Sequence, residues 1–373
     1  MLESVRSLAR RRLEPRGAPD DAALIRHLPY VTALTDDVLM LRDGEIMATL
    51  VLDGIAAATA ESALVGDVAE AVQGTVAQAA PELGFTLHRV SVLADTRLAA
   101  PLEADAFSYH VDRRWQAALA ALELRERRSF LTVTLRPQKI LGLSARLFGA
   151  GATAQRDLLA RRLERLNETV AYLMETLAVA GSARLTVGDG RWLGLLRTLV
   201  TGRFEPTPLP QTFEPIANLV AGSSVRFEGD RFLVPSASTE DMRFGAVFSL
   251  KAYPATTAPG VFDPFDLEFD SVVTHSFTPI EQIDALARIR RTVRQMGAAD
   301  DAAASLRSQL IDAADDLASG RIAFGLHHAS IAVFARSEAQ LDEAAAQVRA
   351  AVAQGVGAVE PFAFLSEDAS AAE

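Results

Sequence analysis

Six histidines and no cysteine bound the chemistry this sequence can perform. Cysteine nucleophiles, zinc thiolates and disulfides are excluded outright. Histidine is the side chain best suited to moving protons near neutral pH, and His327-His328 is the one adjacent pair. The surrounding residues predict a strand over 324–335, where neighbours point to opposite faces. The two rings are therefore not expected to share a metal. One should pack or hydrogen-bond inside while the other faces out. His27, His88, His110 and His275 remain as acid–base candidates, and no spacing to a carboxylate favours any of them. Asp263, Asp266, Glu268 and Asp270 have the charge of a cation site but lack the glycine and spacing of a calcium loop. They read as a solvated strand face.

Phosphate-binding motifs are missing in the same way. A P-loop needs a glycine-rich turn followed by lysine and a hydroxyl residue. The chain has only two lysines, Lys139 and Lys251, preceded by Gln138 and Leu250, and neither fits. Gly149-Ala150-Gly151-Ala152-Thr153-Ala154 has the look of a dinucleotide fingerprint, but Gly142, Ser144 and Arg146 interrupt the strand that should precede it. It reads as a glycine-rich entry into a helix. Gly188-Asp189-Gly190 reads as a turn opening another, and Gly142-Leu143-Ser144-Ala145-Arg146 lacks the closing glycine of a nucleophile elbow. No catalytic, cofactor-binding or metal-ligating residue is assigned to this chain.

The elements that would position these residues follow from hydrophobic period. Apolar runs at 38–41 and 46–52 flank Arg42-Asp43-Gly44-Glu45, a hairpin signal. Helices are predicted over about 58–80, 107–124 and 154–179, the last with Leu158, Leu159, Leu163, Leu166, Val170 and Leu173 on one face. Strands are predicted over 85–92 and 130–135. After a proline-rich stretch come a hairpin at 225–234, strands at 244–250, 267–277, 324–335 and near 359, and helices over about 280–295, 300–318 and 337–352. Met296-Gly297 is expected to break the first of these. Alternation of strands and helices predicts a mixed α+β chain of two α/β subdomains, with mixed sheets flanked by helices. The expected organisation is a basic leader (1–19), a first subdomain (20–201), a Pro-rich linker (202–222), a second subdomain (223–365) and a tail (366–373).

Composition narrows the function classes. The chain has 373 residues, 49% hydrophobic and 23% charged, enough to build a real core. Its net charge of −11 argues against a general nucleic-acid binder, while leaving a local basic patch open. No stretch approaches the roughly 18 apolar residues that span a bilayer, and the N-terminus lacks the apolar segment of a secretory signal. The leader carries Arg6, Arg10, Arg11 and Arg12 among apolar residues at near-helical spacing. It reads first as a solvated leader and second as a weak contact with anionic lipid or an acidic partner.

The second half carries a series of segments in a telling order. They are Leu250-Lys251-Ala252-Tyr253-Pro254, Thr257-Ala258-Pro259-Gly260, Thr274-His275-Ser276-Phe277, Asp312 to Gly320, and Phe324-Gly325-Leu326-His327-His328. In order and spacing they resemble the CagE/TrbE/VirB family of type IV transporter ATPases. Leu28-Pro29-Tyr30 and Asp43-Gly44 ahead of Val51-Leu52-Asp53-Gly54 fit more loosely. The resemblance implies an N-terminal docking and assembly region of a type IV secretion (conjugation) ATPase. Its partners would be small inner-membrane channel subunits and other copies of the ATPase. It would be cytoplasmic and peripheral on the inner membrane, without strong nucleic-acid binding. ATP and magnesium would belong to a C-terminal motor with its own P-loop, expected to lie beyond Phe364 to Glu373, so the chain is expected to be a fragment or a split subunit. Tyr253, Pro254, Thr257, Pro259, His327 and His328 are the signature and interface candidates it marks. The alternative reading is a stand-alone α/β enzyme with an unrecognised site.

Overall fold

The computed structural model describes residues 24–25, 27–55, 60–94, 106–122, 124–137, 152–210, 214–220, 225–228, 230–236, 242–250, 267–298, 304–355 and 364–366. The strands are β1 (Tyr30–Ala33), β2 (Leu39–Leu41), β3 (Ile46–Leu52), β4 (Leu83–Leu93), β5 (Arg125–Leu135) and β6 (Ser182–Arg184). They continue with β7 (Arg226–Glu228), β8 (Arg231–Val234), β9 (Arg243–Leu250), β10 (Asp270–Pro279), β11 (Gly325–Ala335) and β12 (Phe364–Ser366). The helices are α1 (Ser62–Ala77), α2 (Ala106–Ala121), α3 (Ala152–Thr176), α4 (Arg191–Thr201), α5 (Ile216–Val220), α6 (Gln282–Ala298), α7 (Ala304–Ala318) and α8 (Glu338–Gly355).

All the strands join one sheet in the order β1-β2-β3-β5-β4-β10-β11-β9-β8-β7, with β6 also paired to β3 and β12 to β9. The chain is thus mixed α+β. Among the described residues every ladder is antiparallel, where mixed sheets had been expected. Some of the helices are excursions between antiparallel neighbours: α2 joins β4 to β5, which pair along eleven residues, and α6 and α7 join β10 to β11.

Local sequence explains the hairpins. Gly44, with φ of 78°, makes the turn between β2 and β3, a conformation glycine adopts without steric cost. Arg162 of α3 donates to the carbonyls of Gly44 (2.8 Å) and Leu135 (3.1 Å), tying that helix to the turn.

Strand alternation gives the sheet two faces. On the front face, Leu166, Val170 and Leu173 of α3 pack fully buried on Ile46, Ala48, Leu50, Phe85 and Val133. Farther along, Leu341, Ala344, Val348 and Val352 of α8 pack on Ala246, Phe248, Val273, Ile331 and Val333. The back face carries a third core. Trp192, Leu193, Leu195 and Leu196 of α4 and Ile216 and Val220 of α5 cover Met47, Val51, Val90, Phe130, Val272, Phe232 and Phe334. This core takes residues from both sides of the 202–222 segment, and the segment itself packs into it. Phe204 stacks on Phe130 at 5.8 Å between centroids, and the Arg128 guanidinium lies 4.5 Å above the Phe204 ring. A smaller cluster, Ala285, Ile289 and Leu317, joins α6 to α7.

Two boundaries differ from expectation. Helix α6 runs through Met296-Gly297 to Ala298, since a glycine in a final turn costs less than one in a helix interior. Strand β5 begins at Arg125, ahead of the predicted 130, because the long β4 edge recruits four charged residues into the ladder.

Candidate functional site

Three long central strands, β4, β10 and β11, bring together histidines far apart in sequence. Register places Thr274 opposite His88, His275 opposite Leu87, and Phe277 opposite His327. His275 and His327 therefore share the front face, and His88 lies on the back. His275 Nδ1 and His327 Nε2 are 3.3 Å apart, with the rings near-parallel at 18° and 5.5 Å between centroids. Such a contact needs one nitrogen to carry a hydrogen and the other to accept, so the pair is matched when both rings are neutral. Burial pushes the His275 pKa down to about 4, and the neighbouring His327 and Arg89 charges push the same way. His327 is lowered as well, by burial first and then by His328. On the back face, burial lowers His88 to about 4, and its Nδ1 lies 2.9 Å from Thr274 Oγ1.

The expected division of His327 and His328 is what the strand shows. His327 is half-buried against His275 and His328 is exposed. The other candidates do not converge. His27 and His110 are exposed on separate elements. Among the described residues no three histidine or acidic side chains are grouped as a metal site would require. Of the acidic run, Glu268 is exposed, while Asp270 accepts from Arg125 at 2.7 Å and from the Leu93 N–H at 3.0 Å. Asp263 and Asp266 lie outside the described residues, as do Tyr253, Pro254, Thr257, Pro259, Arg6, Arg10, Arg11 and Arg12. The enzyme alternative finds no support in this arrangement.

A second feature escaped the reading of the sequence. Helix α2 exposes Phe107 (78%), Val111 (49%) and Trp115 (58%). These residues stand four apart and so share one helix face. Tyr109 beside them and Leu122 and Leu124 beyond the helix are also exposed. Single exposed apolar residues are ordinary, but a stripe with a phenylalanine and a tryptophan is a candidate interaction surface. The contrast within the chain is direct, since Trp192 of α4 is 1% exposed. The i, i+4, i+8 spacing was present in the sequence. Spacing alone does not say whether an apolar stripe meets a core.

Comparison with known proteins defines the class. Residues 190–361 match the model of the CagE, TrbE, VirB family, described as a component of type IV transporter system. Residues 37–141 match the type IV secretion system ATPase VirB4/TrbE N-terminal domain. Together the two matches cover about three quarters of the sequence. The chain belongs to the CagE/TrbE/VirB family. It is 26% identical over 347 residues to protein virB4 of Rhizobium radiobacter, covering 89% of this chain and 43% of the relative. It is 27% identical over 338 residues to type IV secretion system protein PtlC of Bordetella pertussis (87% and 40%). It is also 27% identical over 345 residues to type IV secretion system protein virB4 of Bartonella henselae (89% and 43%). The chain thus spans less than half the length of these relatives. Among the described residues no helix is long and apolar enough to cross a membrane.

Proposed function

We propose that this chain is the docking and assembly region of a type IV secretion ATPase. It binds inner-membrane channel components and neighbouring copies of the ATPase, and so positions a C-terminal motor that binds ATP and magnesium. It lies on the cytoplasmic side, peripheral to the inner membrane. The observation that carries this reading is α2, a helix whose Phe107, Val111 and Trp115 are exposed and join none of the cores formed by the described residues. An apolar helix of a membrane subunit is the partner this stripe suits, by the mode in which side chains four apart anchor in a facing groove. Family membership supplies the setting, a type IV secretion apparatus. Tyr253, Pro254, Thr257, Pro259, His327 and His328 contribute to contacts with the apparatus, and Arg6, Arg10, Arg11 and Arg12 add a salt-sensitive attraction to anionic lipid. Residues 20–201 and 223–365 serve as the two parts of this docking platform.

The test is co-sedimentation with inner membranes from cells that carry or lack a type IV channel. The chain should sediment with channel-bearing membranes, and a Phe107→Ser/Trp115→Ser variant should stay in the supernatant. Equal sedimentation of the variant would remove α2 as the docking element. Equal sedimentation on membranes without the channel would remove the channel partner.

A further inference from the structure

Between its two helical covers the front face of the sheet is polar and basic. Helix α3 covers the strands toward β3, and α8 covers those toward β9. In the gap lies a cleft of about 70 Å³, lined by Arg89, Ser91, Arg127, Ser129, Ser271 and Val273. The register fixes their pattern. Arg89 stands opposite Ser129 and Ser91 opposite Arg127 across the β4–β5 ladder, and Ser91 stands opposite Ser271 across β4–β10. Residues directly opposite on one face have Cβ atoms about 4.5–5.5 Å apart. The two arginines therefore occupy one diagonal of a four-residue lattice and two serines the other, with a third serine at its side.

Two observations point to a ligand. Ser91 is 9% exposed, and its buried Oγ has no hydrogen-bond partner among the described residues. Such a hydroxyl destabilises the fold unless something in the cleft bonds it. Arg89 is half-buried, and among the described residues no carboxylate pairs with it. The nearest acids along these strands are engaged elsewhere, Asp270 by Arg125 and Glu126 by Arg128. On a chain of net charge −11 this is a local reversal of sign. We propose that the cleft binds a phosphate group, with Arg89 and Arg127 neutralising the oxyanion and Ser91, Ser129 and Ser271 donating hydroxyls to its oxygens. Arginine's planar donor fork matches phosphate geometry. By the measure in which one water needs about 10–15 Å³, the cleft holds on the order of five water-sized atoms. That is the space of one tetrahedral oxyanion and not of a nucleoside. The site shares no residue with α2 and stands or falls apart from the docking reading.

The experiment is calorimetric titration of the 373-residue chain with inorganic phosphate, at ionic strength held constant with chloride. One equivalent should bind saturably. Arg89→Gln should weaken binding at least ~10-fold, the loss of a charge-assisted hydrogen bond. Arg89→Lys should recover part of it, and Ser91→Ala, which removes no charge, should weaken binding by a smaller factor. Arg290→Gln, on the exposed face of α6, should leave binding unchanged. A nucleoside diphosphate in place of phosphate decides the source. Tighter binding with competition assigns the site to a nucleotide's terminal phosphate, and weaker binding to free phosphate. No saturable binding up to about 10 mM, a free energy below ~3 kcal/mol, would overturn the proposal. So would undiminished binding in the Arg89→Gln and Ser91→Ala variants with native circular dichroism.

Discussion

His88 and His275 are held neutral by burial on opposite faces of the same strand pair, each with its pKa down at about 4 from an ordinary 6.5. A base whose folded pKa lies below its unfolded one takes up its proton more readily on unfolding. The stability this represents is fully present above pH 6.5 and is lost as pH falls toward 4. The denaturant midpoint should therefore drop between pH 7 and pH 4.5. His88→Gln should flatten part of that slope while Thr274 keeps a hydrogen-bond partner. An unchanged slope in the variant would show that His88 is not neutral in the fold. Packing is as exacting at Gly245. A Cβ there would clash with the Phe232 ring, and that ring sits edge-on to Phe334 at 5.7 Å in the back core. Gly245→Ala should cost about 1–3 kcal/mol, the usual range for overpacking, read as a lowered midpoint in urea. Trimming Phe232 to leucine in the same chain should return part of the loss.

Helix α2 makes the opposite prediction. Its Phe107 and Trp115 meet solvent, so the Phe107→Ser/Trp115→Ser variant should change stability by no more than about 0.5 kcal/mol per site, measured by the same urea titration. Helix α3 provides the contrast. Leu166 is fully buried on the front face, and Leu166→Ala should cost about 2–5 kcal/mol. Both helices carry apolar residues at helical spacing, and this is where the sequence ran out. Period told that about 107–124 and 154–179 are helical, and it named the face of α3 that packs. It did not tell that the stripe of α2 is left exposed among the described residues, because that depends on the sheet beneath. The β2–β3 hairpin was legible because Asp43-Gly44 has one compatible turn. The opposed faces of His327 and His328 were legible because strand alternation is local. The contact between His275 and His327 was not, since it depends on which of many antiparallel strands become neighbours. The cleft was hidden for a related reason. Arg125, Glu126, Arg127 and Arg128 fall between the expected helix at 107–124 and the expected strand at 130–135, and only pairing with β4 makes them strand and sets Arg127 beside Ser91.

At the scale of the whole molecule, chain order and spatial order disagree. The sequence suggests a pause at 202–222, yet β4 from before it and β10 from after it pair through Phe85–Ser91 and Ser271–Phe277 at the middle of the sheet. The back core likewise mixes Val51, Val90 and Phe130 with Phe232, Val272 and Phe334. Residues 20–201 alone would present β4 as an open edge, a row of unpaired backbone groups beside exposed core side chains. The fragment should therefore aggregate or lack a cooperative transition. Co-expression with residues 202–373 should restore a soluble, co-purifying complex. The intact chain should unfold in one transition, with circular dichroism and Trp192 fluorescence coinciding. Two separated transitions, or a monomeric fragment 20–201 that unfolds cooperatively, would show that the shared ladder contributes little. The outcome also bears on docking. If the ladder binds the two halves into one body, a force applied at α2, between β4 and β5, is carried through β4–β10 to the strands of the second half. A membrane contact on the first half would then hold whatever follows the second in a fixed place.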